Sequence, residues 1–112
     1  IEGNLDIPFN IKRVFSVSVS SNSQSRGEHA HKKLKEVLVC LSGSLDVMVD
    51  DGHIKKTFTL NDPCQGLFLP PMIWAKQSNF SNDCTYLVLA SDHFDPDDYY
   101  RDYGKFCENL WC

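Results

Sequence analysis

The chain has 112 residues and a mass of 12.8 kDa, which suits one domain with a buried core and is too short for two. With 42% hydrophobic and 23% charged residues the composition is ordinary for a folded protein, and no apolar run approaches the ~20 residues needed to span a bilayer. Because the formal net charge is −4 and non-specific nucleic-acid binding needs a basic face, we expect a single domain over residues 1–112 with neither a nucleic-acid nor a membrane partner.

The first half of the chain predicts a series of strands. Residues 11–20, IKRVFSVSVS, alternate apolar and polar side chains with the period of a half-buried strand, and the polar turn SNSQSRG follows. The strand within KEVLVCLSG, residues 35–43, is apolar on both sides, which favours a central position in a sandwich or barrel. Asp51-Gly52 lies between two alternating runs and predicts a tight antiparallel hairpin turn.

The second half predicts further strands and one late helix. LFLPP, residues 67–71, ends in a double proline that cannot continue a ladder, and TYLVLAS, residues 85–91, is another buried strand. A helix is predicted in DPDDYYRDYGKF, with Asp95 as N-cap and Pro96 in the first turn. We expect this helix to pack on the barrel through Tyr99, Tyr103 or Phe106. The pattern favours an all-β, antiparallel jelly-roll barrel with a short C-terminal helix.

The segment RGEHAHKKLKEVLVCLSG, residues 26–43, carries the candidate chemistry. His29 and His31 share one face of a strand, so their imidazoles can converge on one ligand or metal. Glu36 has the opposite parity, so we expect a turn in KKLK, after which Glu36 could lead a strand antiparallel to the histidine strand and meet the pair inside. By itself, an HxH pair is more often two ordinary strand histidines beside a solvated lysine face.

Two kinds of chemistry are open to such a group. His29, His31 and Glu36 with a water molecule could hold a divalent metal ion. Without a metal, a histidine near its usual pKa of ~6.5 is a competent general acid or base at neutral pH. Two histidines facing one cavity could then move a proton between neighbouring carbons.

The spacing resembles the two sequence motifs of the cupins. The first motif, HxH, four residues, Glu, six residues, Gly, is matched throughout, although Ser23 replaces the glycine that precedes it and Gly27 lies nearby. The second motif reads Pro-x-Gly, two residues, His, three residues, Asn, and the residues at its positions are Pro70, Met72, Ala75 and Asn79. Since alanine stands where the third metal histidine would be, we expect a site without metal.

A closer resemblance is to the nucleotide-sugar 3,4-ketoisomerases of the WxcM-like group, which act on dTDP-4-keto-6-deoxyglucose. Four segments carry it in the order found in that group: DIPFNIKRVF, SRGEHAHKKLKEVLVCLSGSLDVMVDDG, GLFLPPMIWAKQSNFSNDC and LVLASDHFDPDDYYRDYGKF. The group is metal-independent, in agreement with Ala75. The resemblance implies proton abstraction from C3, an enediol and reprotonation at C4, with no redox cofactor.

The resemblance also implies roles for the titratable residues. His29 and His31 would supply the base and the acid, in an order that the sequence leaves open. Glu36 could orient a histidine by accepting its second N–H, or could be a buried hydrogen-bond partner without chemistry.

Five further residues are candidates for substrate binding. Arg26 would bind the diphosphate or a developing enolate oxygen, and Arg13 and Lys33 could also face the diphosphate, although each could equally be a solvated surface residue. Trp74 could pack on the sugar or base, with Gln77 hydrogen-bonding it, or could be a core residue.

Three alternatives stay open. A nucleotide-sugar 3,5-epimerase is also a metal-free cupin that acts on this substrate type with histidine and arginine. A metal-dependent cupin such as a dioxygenase is disfavoured by Ala75. A catalytically silent sugar-nucleotide binding module is possible because Ser16 follows Phe15 where many relatives carry an aromatic pair.

The remaining expectations concern assembly and compartment. The resemblance implies a homodimer, which would cover an exposed edge strand. The five cysteines are odd in number and lack a CxxC pair, which predicts neither a disulfide framework nor a zinc knuckle and favours a reducing cytoplasm. The chain begins at Ile1 without the pattern of a secretory signal, so we expect a trimmed or disordered start and no secretion.

Overall fold

The computed structural model describes residues 3–20 and 24–110. Ile1, Ser23 and Cys112, which entered the sequence analysis, lie outside these ranges. The elements in chain order are β1 (Arg13–Val19), β2 (Arg26–His31), β3 (Glu36–Ser42), β4 (Leu45–Asp50), β5 (Lys55–Leu60), β6 (Gly66–Leu69), β7 (Trp74–Ser78), β8 (Cys84–Ala90), β9 (Tyr99–Tyr100) and α1 (Tyr103–Leu110).

The strands form two antiparallel sheets that pack face to face. One sheet has the order β1-β8-β3-β6 and the other β5-β4-β7-β2-β9. The main core lies between them and draws its buried side chains from both, including Leu38, Val47, Leu69 and Val88. The prediction of an antiparallel all-β fold with a short C-terminal helix is confirmed.

Strand β3 is apolar on both faces because both faces are covered. Leu38 and Cys40 point into the core between the sheets. Val37 and Val39 point outward, where Ile7 and other apolar residues of the N-terminal segment pack on them. The central position predicted for this strand is confirmed, with β8 and β6 as its neighbours.

The predicted hairpin joins β4 and β5, which pair from Leu45 with Leu60 to Asp50 with Lys55. Its connection has four residues, 51–54, rather than a tight two-residue turn. The side chain of Asp51 accepts hydrogen bonds from the backbone N–H groups of residues 53 and 54, at 2.8 and 2.9 Å. The hairpin is therefore fixed by an Asp side chain that closes the turn.

A bulge in β2 sets the direction of the residues around the histidines. Arg26 pairs with Gln77 and His29 pairs with Ala75, so β2 uses one residue more than β7 over this stretch. Gly27 lies in the bulge with φ +66°, a conformation that favours glycine. Without the bulge, Arg26 and His29 would point to opposite faces; with it, both point between the sheets.

The prediction of one helix over residues 95–106 is wrong in its extent. Asp95 does cap a helical turn, accepting a 3.0 Å hydrogen bond from the Asp97 N–H, but this is a 3₁₀ turn of three residues, Pro96–Asp98. The chain then becomes extended as β9, because residues 99 and 100 pair with the edge of β2. The α-helix begins only at Tyr103.

Helix α1 packs on the outer face of the larger sheet. Phe106 is fully buried against Trp74 and Ala30, as its helical spacing predicted. The hydroxyl of Tyr103 donates a 2.6 Å hydrogen bond to the buried carboxylate of Asp50, which ties the helix to the end of β4. Among the described residues, the helices are all too short or too polar to cross a bilayer.

Replacing Gly27 should destabilise the fold measurably. In Gly27→Ala the alanine would have a strained positive φ, and its Cβ would collide with the Gln77 side chain. We therefore expect the free energy of unfolding to fall by about 1–3 kcal/mol. Gly104→Ala is the matched control, since its Cβ meets only the Asp102 side chain at 3.3 Å in a helix that favours alanine. Urea denaturation that shows both variants as stable as the parent would contradict the bulge.

Candidate active site

The two predicted histidines lie next to each other between the sheets. Their ring centroids are 5.0 Å apart and the ring planes are nearly perpendicular, at 82°. His29 borders a cavity of about 160 Å³ that also reaches Arg26, Glu36 and Gln77. His31 does not line this cavity. It lines a much smaller adjacent space, which His29 and Glu36 also border. The shared face predicted from the HxH spacing is confirmed.

His31 has an acidic side chain on each side. Its Nδ1 is 3.2 Å from Oδ2 of Asp98, and its Nε2 is 3.5 Å from Oε1 of Glu36. The side chain is buried, and Nε2 makes no hydrogen bond to any residue within 3–20 and 24–110. Strands β2 and β3 belong to different sheets and do not pair, yet Glu36 meets the histidines inside the barrel, as predicted.

Arg13 and Glu36 lie in one row across the four-stranded sheet. Both pair with Ala90, Arg13 from β1 and Glu36 from β3, and paired residues point to the same face. Ala90 is fully buried between Arg13 and Glu36. Because its side chain is only a methyl group, it does not fill the space between their two side chains. The guanidinium carbon of Arg13 lies 4.5 Å from the ring centre of Phe15 and 5.5 Å from that of Phe94.

Burial governs the ionisation of all three central groups. It raises the pKa of Glu36 to about 7, an effect opposed by the positive charge of Arg13 and reinforced by the negative charge of Asp98. Burial likewise lowers the pKa of His29 to about 4, with His31 and Arg101 adding to the effect. For His31, burial lowers the pKa, while the charge and hydrogen bond of Asp98 oppose this. Both imidazoles are therefore neutral at neutral pH.

Tyr99 encloses the histidine pair from the C-terminal segment. Its ring centre is 4.9 Å from that of His29 and 4.4 Å from that of His31. The guanidinium carbon of Arg101 lies 4.1 Å from the centre of the Tyr99 ring. Sequence reasoning missed the place of Tyr99 beside the histidines because a two-residue strand is too short to show a period.

Arg26 and Gln77 lie side by side on neighbouring strands of the larger sheet. They pair across β2 and β7, and both line the cavity beside His29. Arg26 is exposed at its mouth, whereas Gln77 is buried.

Two predicted substrate-binding residues lie elsewhere. Trp74 points to the outer face of its sheet, because Ala75 takes the inward position, and it packs in the core beneath α1 with Phe106. Lys33 is exposed in the turn between β2 and β3 and lines a separate cavity of about 100 Å³. Neither Trp74 nor Lys33 therefore lines the cavity beside His29.

Ser16 was the reason for retaining a catalytically silent binding module as an alternative function. Its side chain does not line the cavity. It is exposed on β1 and alternates with half-buried Phe15, which borders the cavity. Within this chain, the aromatic residue of β1 that borders the cavity is thus Phe15.

The second cupin motif keeps its backbone without its histidine. Met72, at the glycine position, has φ +64°, the left-handed conformation that glycine normally supplies. Ala75 pairs with His29, so a histidine there would face the same space. No three His, Cys, Asp or Glu side chains of the described ranges are arranged to hold a metal ion.

Comparison with known proteins gives a family and a close relative. The family model described as FdtA, WxcM-like, C-terminal, matches residues 1–111. A relative named TDP-4-oxo-6-deoxy-alpha-D-glucose-3,4-oxoisomerase, from Aneurinibacillus thermoaerophilus, is 49% identical over 106 residues, which cover 95% of this chain and 76% of the relative.

Two solved structures match the fold along nearly the whole chain. QdtA, a sugar 3,4-ketoisomerase from Thermoanaerobacterium thermosaccharolyticum in complex with TDP, has a TM-score of 0.95 at 40% identity and covers 99% of this chain and 81% of its own. A 3,4-ketoisomerase from Helicobacter canadensis has a TM-score of 0.96 at 38% identity and covers 100% and 84%. These matches confirm the predicted cupin-type jelly roll and the resemblance to 3,4-ketoisomerases. The chain belongs to the WxcM-like FdtA family.

Proposed function

We propose that the protein is a sugar-nucleotide 3,4-ketoisomerase that converts dTDP-4-keto-6-deoxyglucose to the 3-keto-6-deoxyhexose. The observation that carries this proposal is the adjacent pair of imidazoles beside Glu36 in a chain of this family, with His29 and Glu36 bordering the cavity and His31 next to both. The reaction uses acid and base groups of the protein and needs neither a metal nor a redox cofactor.

The isomerisation moves two protons and leaves the composition of the sugar unchanged. A base removes the proton from C3 as O4 takes up a proton, which gives the enediol. The O3 hydroxyl then loses its proton as C4 gains one, so C3 is oxidised and C4 reduced within one molecule. The chemistry therefore needs one group at the carbons and a second at the oxygens.

We divide these tasks between the two histidines according to their positions. His29 borders the larger cavity, so we assign it the proton that moves between C3 and C4. His31 contacts Glu36 and Asp98, so we assign it the protons of the oxygens, which pass to and from it through Glu36 at the border of the cavity. Glu36, with a pKa near neutrality, can give a proton to His31 or take one from it.

The size of the cavity supports a position for the rest of the substrate at its mouth. The space beside His29 is about 160 Å³, below the roughly 300–1,000 Å³ of whole ligand pockets. We place the keto sugar inside it, and the diphosphate and nucleoside outside, next to Arg26. A guanidinium offers fixed donors for the diphosphate oxygens, and Arg13 adds positive charge near Glu36.

We further propose a homodimer in the cytoplasm, where the product would serve later transamination in cell-surface glycan synthesis. Support for the dimer comes from apolar side chains exposed on β1 and β6, Val14 at 54% and Phe68 at 41%. Cys40, Cys64, Cys84 and Cys107 are free thiols, which suits a reducing compartment. Sedimentation at a mass of 12.8 kDa would contradict the dimer.

The test of the function is incubation with dTDP-4-keto-6-deoxyglucose in D2O, followed by NMR of the sugar. We expect the carbonyl to move from C4 to C3. A 3,5-epimerase would instead leave the ketone at C4 and introduce deuterium at C3 and C5, and a silent binding module would leave the sugar unchanged. Either of these results would overturn the proposal.

The same assay tests the two histidines one at a time. His29→Asn and His31→Asn should each lower turnover by roughly 10²–10⁴-fold, because each removes an acid or base group, while both variants stay folded. His53→Asn, on the exposed hairpin turn, is the matched control and should keep full turnover. Full activity of either cavity variant would remove that residue from the mechanism.

The ionisation of Glu36 should make the free energy of unfolding depend on pH, and the variant Glu36→Gln should lack this contribution. The pKa of Glu36 in the folded protein, about 7, is above its ordinary 4.5, so its stabilising contribution is complete at low pH and is lost as the pH rises to about 7. The free energy of unfolding of Glu36→Gln relative to the parent should therefore rise by on the order of 3 kcal/mol between about pH 4.5 and about pH 8.

Urea denaturation at the two pH values measures this difference. Glu28→Gln, which removes an exposed carboxylate on β2, should change the free energy of unfolding by less than about 0.5 kcal/mol at both pH values. A constant difference between Glu36→Gln and the parent would show that Glu36 ionises like a solvated carboxyl group.

A further inference from the structure

Asp98 accepts hydrogen bonds from backbone N–H groups in addition to its contact with His31. Its Oδ1 accepts a 2.9 Å hydrogen bond from the Lys33 N–H, and its Oδ2 accepts a 3.2 Å bond from the Leu34 N–H. Its backbone carbonyl accepts a 2.8 Å bond from the Lys32 N–H. The side chain is only 13% exposed. The carboxylate therefore has one fixed orientation against the turn between β2 and β3.

These contacts determine which nitrogen of His31 carries the proton. Backbone N–H groups only donate, so both carboxylate oxygens of Asp98 are acceptors. Oδ2 also lies 3.2 Å from Nδ1 of His31, and an acceptor can bond that nitrogen only when it bears hydrogen. A neutral imidazole has one N–H, so Nε2 carries the lone pair and faces Glu36.

We propose that Asp98 is a positioning residue that holds His31 in the Nδ1–H tautomer and so presents Nε2 to Glu36 as the proton-accepting atom. The effect on rate rests on the ketoisomerase function proposed above. The tautomer is a property of the resting protein and does not depend on that function.

Groups from several elements shift the pKa of His31, and Asp98 shifts it in the opposite direction from the two arginines. Burial lowers the pKa of His31, and the charges of Arg101 and Arg13 lower it further, whereas Asp98 raises it by charge and by hydrogen bond. The titratable or charged side chains that face His31 come from β1, β2, β3, the 3₁₀ turn, β9 and the residue after β9: Arg13, His29, Glu36, Asp98, Tyr99 and Arg101. Removing the Asp98 charge should therefore make His31 harder to protonate.

The first test needs no variant of Asp98. Long-range ¹H–¹⁵N spectra of the full chain with labelled histidine, recorded at about pH 8, report which ring nitrogen bears hydrogen. The His31 signals are identified by their loss in His31→Asn. We expect Nδ1 to be protonated and Nε2 to be bare. A predominant Nε2–H form would overturn the proposal.

The second test uses Asp98→Asn with Asp97→Asn as the matched control. Both variants lose one carboxylate from the same 3₁₀ turn, but Asp97 is exposed and does not line the cavity beside His29. We expect kcat of Asp98→Asn to fall by about 10²-fold, with KM within about twofold and the acidic limb of the kcat–pH profile moved to lower pH. Asp97→Asn should match the parent in all three.

The outcomes of the two tests separate the proposals. Asp98→Asn with the parent's kcat and pH profile, or a change in KM alone, would overturn the positioning role. If the parent protein does not isomerise the substrate, the proposed function fails, and the tautomer measured in the first test still decides the role of Asp98.

Discussion

The burial of His29, His31 and Glu36 is the constraint on which the site depends. Burial favours the uncharged form of each group, so it lowers the pKa of His29 to about 4 and raises that of Glu36 to about 7. The site can therefore hold two neutral bases and a protonated acid near neutral pH. An arrangement of this kind suits a reaction that starts and ends with neutral hydroxyl and ketone groups and only relocates protons.

Three local features of the backbone bring charged and aromatic side chains to this buried group. The bulge at Gly27 turns Arg26 to the same side as His29, which brings a cation to the mouth of the cavity. The short strand β9 adds to the edge of β2 and places Tyr99 against both imidazoles. The 3₁₀ turn before β9 supplies Asp98 to the ring nitrogen that faces away from Glu36. The C-terminal segment is thus part of the site as well as its cover.

Local patterns in the sequence predicted much of this and failed where the outcome depends on distant partners. Alternation predicted β1 and the shared face of the histidines, and the double-sided apolar pattern predicted the central place of β3. Trp74 was misplaced because a strand's period says that it and Ala75 face opposite ways, but only the register with β2 says which faces inward. Asp98 was missed because its contact with His31 joins residues 67 positions apart, and no local pattern reports such a pairing.

The most direct measurement is the NMR titration of His29 in the free protein, with its signals identified by their loss in His29→Asn. If burial controls the site, His29 stays neutral as the pH falls through 6.5 and takes up a proton only near pH 4. Titration of His29 near its ordinary value of 6.5 would show that the imidazole is solvated and would contradict the account.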